Sequence, residues 1–352
     1  MPKGFPPATI EGMRGILVAA FTVFSCLGLA LEVNLLEVEL QARPGAVLPF
    51  SFIVRNELSQ REQVVLYLGD WDRDEFGENR FYEPGTLPRS SAHWTSVAPT
   101  SFVLGPGEVQ EIQGTVQVPK EAEPGAYWAI VFVQGEPRLV PYQGVMVTVT
   151  RRIGIKIYVT VEPAEARAEP RGLEVRGLNP LWAWVKFANI GTKNLREVRA
   201  SLRVIDIQGR TVAEASSAPV PCLPGAERWI RLDTNFRPEP GVYQVLAIVD
   251  YGGEELLAIP LRLSVRPLTL FPLEDGLGLP RDLDGDGFYE DINGDGAFTE
   301  ADFEVFSRNL QSPAVRANLR AFDFNNDGAI DEKDLDALRE LLALGAKVPP
   351  GK

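Results

Sequence analysis

Two stretches near the end of the chain, DINGDGAFTEAD at residues 291–302 and DFNNDGAIDEKD at residues 323–334, decide how this region folds. Calcium takes about seven oxygen ligands, and a twelve-residue loop supplies them from positions 1, 3, 5, 7, 9 and 12, with Gly at position 6 for the turn. Both stretches have this spacing. We predict two calcium sites, with the ligands Asp291, Asn293, Asp295, Ala297 (backbone carbonyl), Thr299 and Asp302 in the first loop and Asp323, Asn325, Asp327, Ala329 (backbone carbonyl), Asp331 and Asp334 in the second.

A third acidic stretch, DLDGDGFYED at residues 282–291, precedes the first loop. Its side chains Asp282, Asp284 and Asp286 repeat the spacing of positions 1, 3 and 5, close to Glu290. This spacing suits a third calcium ion and suits equally an acidic turn that only extends the first loop. The sequence leaves both readings open, so the expected number of calcium ions is two or three.

Each loop leads into a segment with the apolar periodicity of a helix. The apolar positions are Phe303, Phe306 and Leu310 after the first loop and Leu335, Leu338, Leu341 and Leu342 after the second. Residues 271–345 also hold 18 Asp and Glu against 6 Lys and Arg, so this region carries nearly all of the net charge of -13. Such local negative charge attracts divalent cations and repels nucleic acid, which we exclude as a partner.

Loop and helix units in duplicate, with Asp at position 12 and no clear helix before Asp291, resemble type I dockerins, which are EF-hand-like modules that bind cohesin domains. The resemblance implies a calcium-folded domain and a cohesin-like protein partner. It implies that the partner is recognised by Glu300, Ala301, Ser307 and Arg308 in the first repeat and by Glu332, Lys333, Arg339 and Glu340 in the second. These residues differ from the Ser-Thr and Lys-Arg pairs of well-known dockerins, so no particular cohesin is implied.

The region before the calcium loops consists of short alternating or β-branched runs separated by Pro-Gly and Asn/Gly turns. This pattern is typical of antiparallel β-sandwiches. Residues 94–99, 102–108, 118–119 and 124–128 resemble bacterial extracytoplasmic immunoglobulin-like domains, distantly akin to the N-terminal domains of pilus chaperones. A second set of runs repeats the Pro-Gly-x-Tyr turn of the first, which indicates two related domains in tandem.

The predicted fold class is mainly β, with two tandem immunoglobulin-like β-sandwiches followed by a small α-helical calcium-binding domain. The expected divisions are a signal peptide at 1–30, sandwiches at 31–152 and 153–267, a linker at 268–280, a dockerin-like domain at 281–346 and a disordered tail at 347–352. In this division the run GIKIYVTVEP at 154–163 is the first strand of the second sandwich.

The segment Ile16–Ala30 is apolar throughout, follows Arg14 and ends in small residues, as a secretory signal does. It falls short of the roughly 20 residues that span a bilayer, although a permanent anchor stays an alternative. We expect cleavage near Ala30, no stable membrane span afterwards, and a protein that is secreted or at the cell surface. Cleavage would leave Cys222 as the only cysteine, which excludes an intramolecular disulfide.

The sequence gives little support for catalysis. His93 is the only histidine and has no nucleophile in motif spacing. Residues 70–85 mix carboxylates with aromatics, as glycosidase clefts do, but a charged loop between strands explains them as well. The favoured function is a non-enzymatic docking or scaffold protein. The alternatives are a carbohydrate-binding or surface-adhesion protein that contacts polysaccharide and uses the calcium domain as a structural cap and, more distantly, a polysaccharide-active enzyme.

Overall fold

A computed structural model describes residues 31–142 and 144–344. The predicted signal peptide at 1–30 and the tail at 347–352 lie outside the described residues. Within the described part, no helix is both long and apolar enough to cross a membrane. In the described part, strands dominate residues 31–265 and the α-helices lie within residues 300–344, which confirms the mainly β fold class with a small helical C-terminal domain.

The first sandwich consists of two facing sheets and a separate hairpin. One sheet has the order β1-β3-β8-β6, and the other has the order β2-β12-β9-β4-β5, with β7 also paired to β4. Alternate side chains of β3 are buried, as expected for a strand with one face on a core, whereas nearly every residue of β9 is buried. The strands are β1 Leu31–Val33, β2 Glu37–Ala42, β3 Val47–Asn56, β4 Glu62–Arg73, β5 Asn79–Tyr82, β6 Thr95–Ala98, β7 Ser101–Leu104, β8 Val109–Gln117, β9 Gly125–Gly135, β10 Arg138–Tyr142, β11 Val145–Val149 and β12 Arg152–Val161.

The second sandwich places the sheet β13-β14-β18 against the sheet β16-β15-β19-β20, with β17 paired to β15. Its core contains Phe187, Leu202 and Val245, and Cys222 is buried there as a free thiol. The strands are β13 Ala168–Leu178, β14 Leu181–Asn189, β15 Leu195–Ile205, β16 Thr211–Ser216, β17 Val220–Cys222, β18 Glu227–Asp233, β19 Gly241–Asp250 and β20 Leu257–Val265.

The strand β12 corrects the expected boundary between the sandwiches. Instead of opening the second sandwich, it lies between β2, parallel, and β9, antiparallel, in the first. Its residues Ile155, Ile157 and Val159 are fully buried in the first core. The first strand of the second sandwich is β13, which sequence analysis missed. Alternation identifies a strand but says nothing about which distant strand it pairs with, and pairing decides the domain.

The two sandwiches touch through aromatic side chains. Leu223 of the second sandwich packs with Trp71, Trp128 and Tyr158 of the first. The backbone N–H of Trp229 donates to the carbonyl of Glu75, and Lys186 forms an ion pair with the same glutamate. These contacts join the two β domains directly, without an intervening spacer.

The C-terminal domain has four helices, and its core holds Ile292, Phe306, Phe322 and Leu338. The expected linker at 268–280 is part of this domain's packing, because Leu268, Leu270, Leu273 and Leu277 lie against the same core. The linker assignment followed from Gly and Pro content, which does not show where interspersed leucines pack. The helices are α1 Glu300–Asn309, α2 Pro313–Arg316, α3 Leu319–Phe322 and α4 Glu332–Leu344.

Candidate metal centre and docking face

The first twelve-residue loop is closed by its own carboxylates. The two oxygens of Asp291 accept hydrogen bonds from the backbone N–H of Asp295 (3.0 Å) and of Gly296 (2.8 Å). Asp302 accepts from Asn293 N–H (3.0 Å) and from Thr299 N–H (2.8 Å), so it ties the start of the loop to its end. Asp291 and Asp302 are fully buried. The loop is therefore wrapped around positions 1 and 12, as calcium coordination requires.

The second loop repeats the same bonds. Asp323 accepts from Asp327 N–H and Gly328 N–H, both at 2.9 Å, and Asp334 accepts from Asn325 N–H at 3.2 Å. Gly328 has φ of 90°, a left-handed conformation that a side chain would strain. The two loops that are similar in sequence thus also have the same pattern of hydrogen bonds.

The position 12 aspartates also start the helices. Asp302 and Thr299 form a reciprocal capping box at the N-terminus of α1, and Asp334 accepts from Asp331 N–H (2.8 Å) at the start of α4. Ala297 and Ala329, predicted to contribute carbonyls, and Thr299 are exposed, while Asp331 is half-buried. Loop closure and helix initiation therefore use the same side chains.

The buried carboxylates lack cationic partners. Among the described residues, no Lys or Arg lies within 4.0 Å of Asp291, Asp302, Asp323 or Asp334. Burial raises the pKa of Asp323 to about 7, with a smaller contribution from the neighbouring Asp334 and Asp327. Burial likewise raises the pKa of Asp302 and of Asp334. Buried anionic oxygens without a cation fit a hard divalent ion, which would neutralise them.

Calcium binding is therefore expected to release more protons at pH 6 than at pH 8. Asp323 must lose its proton to coordinate a cation, and its pKa of about 7 means that it is largely protonated at the lower pH. Affinity should rise as the pH is raised through 7. Calorimetric titrations in two buffers of different ionisation enthalpy measure the protons released, and an equal release at both pH values would contradict this assignment.

The third acidic stretch brings four carboxylates together. Ligand oxygens of Asp282, Asp284, Asp286 and Glu290 all lie within 4.8 Å of one another. Within the described ranges, neither twelve-residue loop brings three acidic side chains this close together. In both loops, position 3 is Asn instead of Asp. Glu290 is 8% exposed, and burial raises its pKa to about 7. Sequence analysis noted Glu290 only as a neighbour, although it stands at position 9 when Asp282 is counted as position 1.

The eight residues implied to contact a partner are all exposed: Glu300, Ala301, Ser307, Arg308, Glu332, Lys333, Arg339 and Glu340. We call these residues the docking face. They lie on α1 and α4, which contact each other. Arg308 forms a two-bond ion pair with Glu274 (3.0 and 3.1 Å), and the Arg339 guanidinium lies 4.3 Å from the centre of the Phe303 ring.

Four of the six carboxylates of residues 70–85, those of Asp70, Asp72, Asp74 and Glu75, have structural partners. Asp70 is fully buried and accepts from Leu87 N–H and the Ser90 hydroxyl. Asp72 pairs with Arg80 (2.8 and 3.0 Å), and Asp74 accepts three backbone N–H groups. The segment borders a cleft of about 940 Å³ between the sandwiches. His93 is exposed, and none of the described residues hydrogen bonds to its ring.

Several of the solved structures similar to this chain contain a chaperone. A chaperone and tip-adhesin complex of CFA/I fimbriae is 11% identical, with a TM-score of 0.38, over 68% of this chain and 100% of that chain. The class 5 fimbriae chaperone CfaA is 14% identical, with a TM-score of 0.36, over 68% and 100%. The CupB2 chaperone of Pseudomonas aeruginosa is 14% identical, with a TM-score of 0.33, over 66% and 100%.

No curated protein matches the chain. A family match covers the C-terminal region, where the two calcium loops and the docking face lie. Residues 289–343 match the dockerin type I domain, which confirms the family resemblance predicted from the loops.

Proposed function

We propose that this chain is an extracytoplasmic, non-enzymatic docking protein whose calcium-folded C-terminal domain attaches it to a cohesin-like protein partner. The two sandwiches are the spacer or adhesive part that this attachment carries. The proposal is best supported by the contrast in burial within the C-terminal domain. The carboxylates at positions 1 and 12 of both loops are buried, whereas every residue of the docking face is exposed. Export is proposed from the apolar segment Ile16–Ala30.

Calcium is the proposed metal, with one ion in each twelve-residue loop. When bound, it would neutralise the carboxylates that burial otherwise disfavours, and the chain's own backbone N–H groups would hold those carboxylates in place. The group formed by Asp282, Asp284, Asp286 and Glu290 is the candidate for a third ion. A titration that counts three ions would favour this site, and a count of two would leave it as an acidic turn.

The full chain is expected to bind an immobilised type I cohesin domain in calcium and to leave it in chelator. Changing Lys333 and Arg339 together to Ala should weaken this binding about 10-fold to 100-fold, because exposed side chains at an interface centre carry much of its energy. The matched control changes Arg199 and Arg203 to Ala, which removes the same charge from an exposed part of the second sandwich. Surface plasmon resonance gives the affinities.

Failure of a broad panel of cohesin domains to bind in calcium would count against docking. The same measurement on immobilised polysaccharides tests the adhesion alternative. The first candidate for an aromatic surface that stacks on a sugar is a group of three neighbouring rings, with centres 5.8 and 6.2 Å apart: Phe76, Trp184 and Trp229. These rings meet edge to face, at 68° and 64°, so they pack on one another and offer no flat stacking surface.

The non-enzymatic part of the proposal rests on the acids of residues 70–85. Asp70, Asp72 and Asp74 each make the structural bonds described above, and Glu75 pairs with Lys186. A general acid or base needs a carboxyl that can exchange its proton with a substrate, and these groups are already engaged.

A further inference from the structure

Asn326, at position 4 of the second calcium loop, has an unusual backbone conformation. Among the described residues it is the one non-glycine with a positive φ, at 53°. The first loop has Gly294 at the same position, with φ of 73°. The loop therefore demands a left-handed residue there, and Gly meets that demand with less strain than Asn. Because glycine would be less strained at this position, the presence of Asn326 suggests that its side chain has a role of its own.

That side chain binds the second sandwich. Asn326 Oδ1 accepts from the backbone N–H of Leu178 (3.1 Å) and of Asn179 (3.2 Å), and its Nδ2 donates to the carbonyl of Pro180 (2.9 Å). Its own carbonyl accepts from the indole N–H of Trp182. Residues 178–181 form the turn between β13 and β14, so a single loop residue satisfies three backbone groups of a turn in another domain.

The two surfaces also fit closely in shape. A Cβ built on Gly328 would lie 2.5 Å from the carbonyl oxygen of Arg176, and one built on Gly177 would lie 2.4 Å from Asn326 Oδ1. On the other side of the turn, a Cβ on Gly287 would lie 2.7 Å from the Asn179 amide. Distances this short leave no room for a side chain at these glycines. Gly328 approaches the backbone of Arg176, whereas Gly177 and Gly287 pack against the side-chain amides of Asn326 and Asn179.

The position of the Asn326 side chain against the turn at residues 178–181 depends on the second loop being closed. The residue stands between the predicted ligands Asn325 and Asp327, and its N–H donates to the carbonyl of Asp323 (3.0 Å). The neighbouring N–H groups of Asp327 and Gly328 donate to the Asp323 carboxylate. In the open loop, Asn326 would lose both its conformation and its place against the turn. Repulsion among the loop carboxylates favours opening unless a cation is bound.

We infer that calcium in the second loop locks the C-terminal domain onto the second sandwich through Asn326, and so fixes the direction in which the docking face points. The inference rests on the proposed calcium binding at that loop. All eight residues of the docking face stay exposed in the locked arrangement, so the contact sets its orientation without covering it. A further bond, from the Arg320 guanidinium to the Pro238 carbonyl (2.8 Å), lies in the same interface.

The sharpest test is Asn326→Gly in the full chain, because Gly294 shows that glycine suits this position of a calcium loop. The variant should bind the same number of calcium ions by calorimetry. The amides of Leu178 and Asn179 should exchange with deuterium about 10-fold or more faster than in the calcium-loaded parent. Small-angle scattering of the loaded variant should show a larger maximum dimension than that of the loaded parent. Gln311→Gly, an exposed change to glycine outside both loops and outside the docking face, should behave as the parent does.

Parent-like exchange and scattering in Asn326→Gly, with calcium bound, would overturn the inference. So would equal protection of Leu178 and Asn179 in the parent with and without calcium. Absence of calcium binding to the parent would instead overturn the proposed function on which the inference rests, so the two failures are distinguishable.

Discussion

Removal of calcium from the full chain is expected to unfold the C-terminal domain while both sandwiches stay folded. Four aspartates of the two loops are at most 3% exposed, and without a cation their charge is uncompensated. At free calcium 1,000 times above the dissociation constant, each ion adds about 4 kcal/mol to the free energy of unfolding. Two ions thus contribute as much as the total stability of many small domains.

Circular dichroism at 222 nm and differential scanning calorimetry check this expectation. Chelator should reduce the helical signal, which comes from α1 to α4, and remove one calorimetric transition while leaving the others in place. Magnesium in place of calcium is the control, since it is smaller and prefers an octahedral site. A helical signal that is unchanged in chelator would show that the domain folds without metal.

The variant Asp323→Ala is expected to lose calcium at the second loop and most of the binding to a cohesin-like partner. The change removes the position 1 ligand, leaves the N–H of Gly328 without its acceptor, and leaves the N–H of Asp327 with Asn325 Oδ1 alone. Each unsatisfied buried donor costs about 1 to 3 kcal/mol. Affinity at this loop should fall about 100-fold or more, the ion count should fall by one, and α4 should lose its anchored start.

Arg339→Ala provides the contrast for this variant. Arg339 is exposed on the docking face, lies over the Phe303 ring, and forms no ion pair with a loop carboxylate among the described residues. It should weaken partner binding while the calcium titration stays as in the parent. If both variants bind the partner as well as the parent does, the second repeat is a structural cap, and docking would depend on the first repeat alone.

The geometry of the two twelve-residue loops was predictable because the contacts that close each loop are local. Ligands from Asp291 to Asp302 lie within twelve residues, and the hydrogen bonds that close the loop join residues no more than nine apart. Helix α1 follows directly, with Phe306 buried as its periodicity predicts. Leu341 departs from this pattern, because it lies near the end of α4 and is 39% exposed.

The features that sequence analysis assigned wrongly or missed depend on contacts between residues far apart in the chain. Strand β12 belongs to the first sandwich because of its pairing with β2, more than a hundred residues earlier. The role of Asn326 depends on a turn at residues 178–180, which no local pattern indicates. One signal was present in the sequence, since the two loops differ at position 4, with Gly294 in one and Asn326 in the other.

The packed segment 268–280 has a consequence for how the chain can engage two targets at once. A flexible tether of 13 residues would let its ends wander over about 20 Å, and a second binding event would occur at an effective concentration averaged over that volume. Here the leucines of this segment lie on the C-terminal core, and Glu274 pairs with Arg308. A surface bound by the sandwiches and a partner bound by the helices would therefore be held at one fixed distance. The two binding events would strengthen each other only where the two targets are separated by that distance.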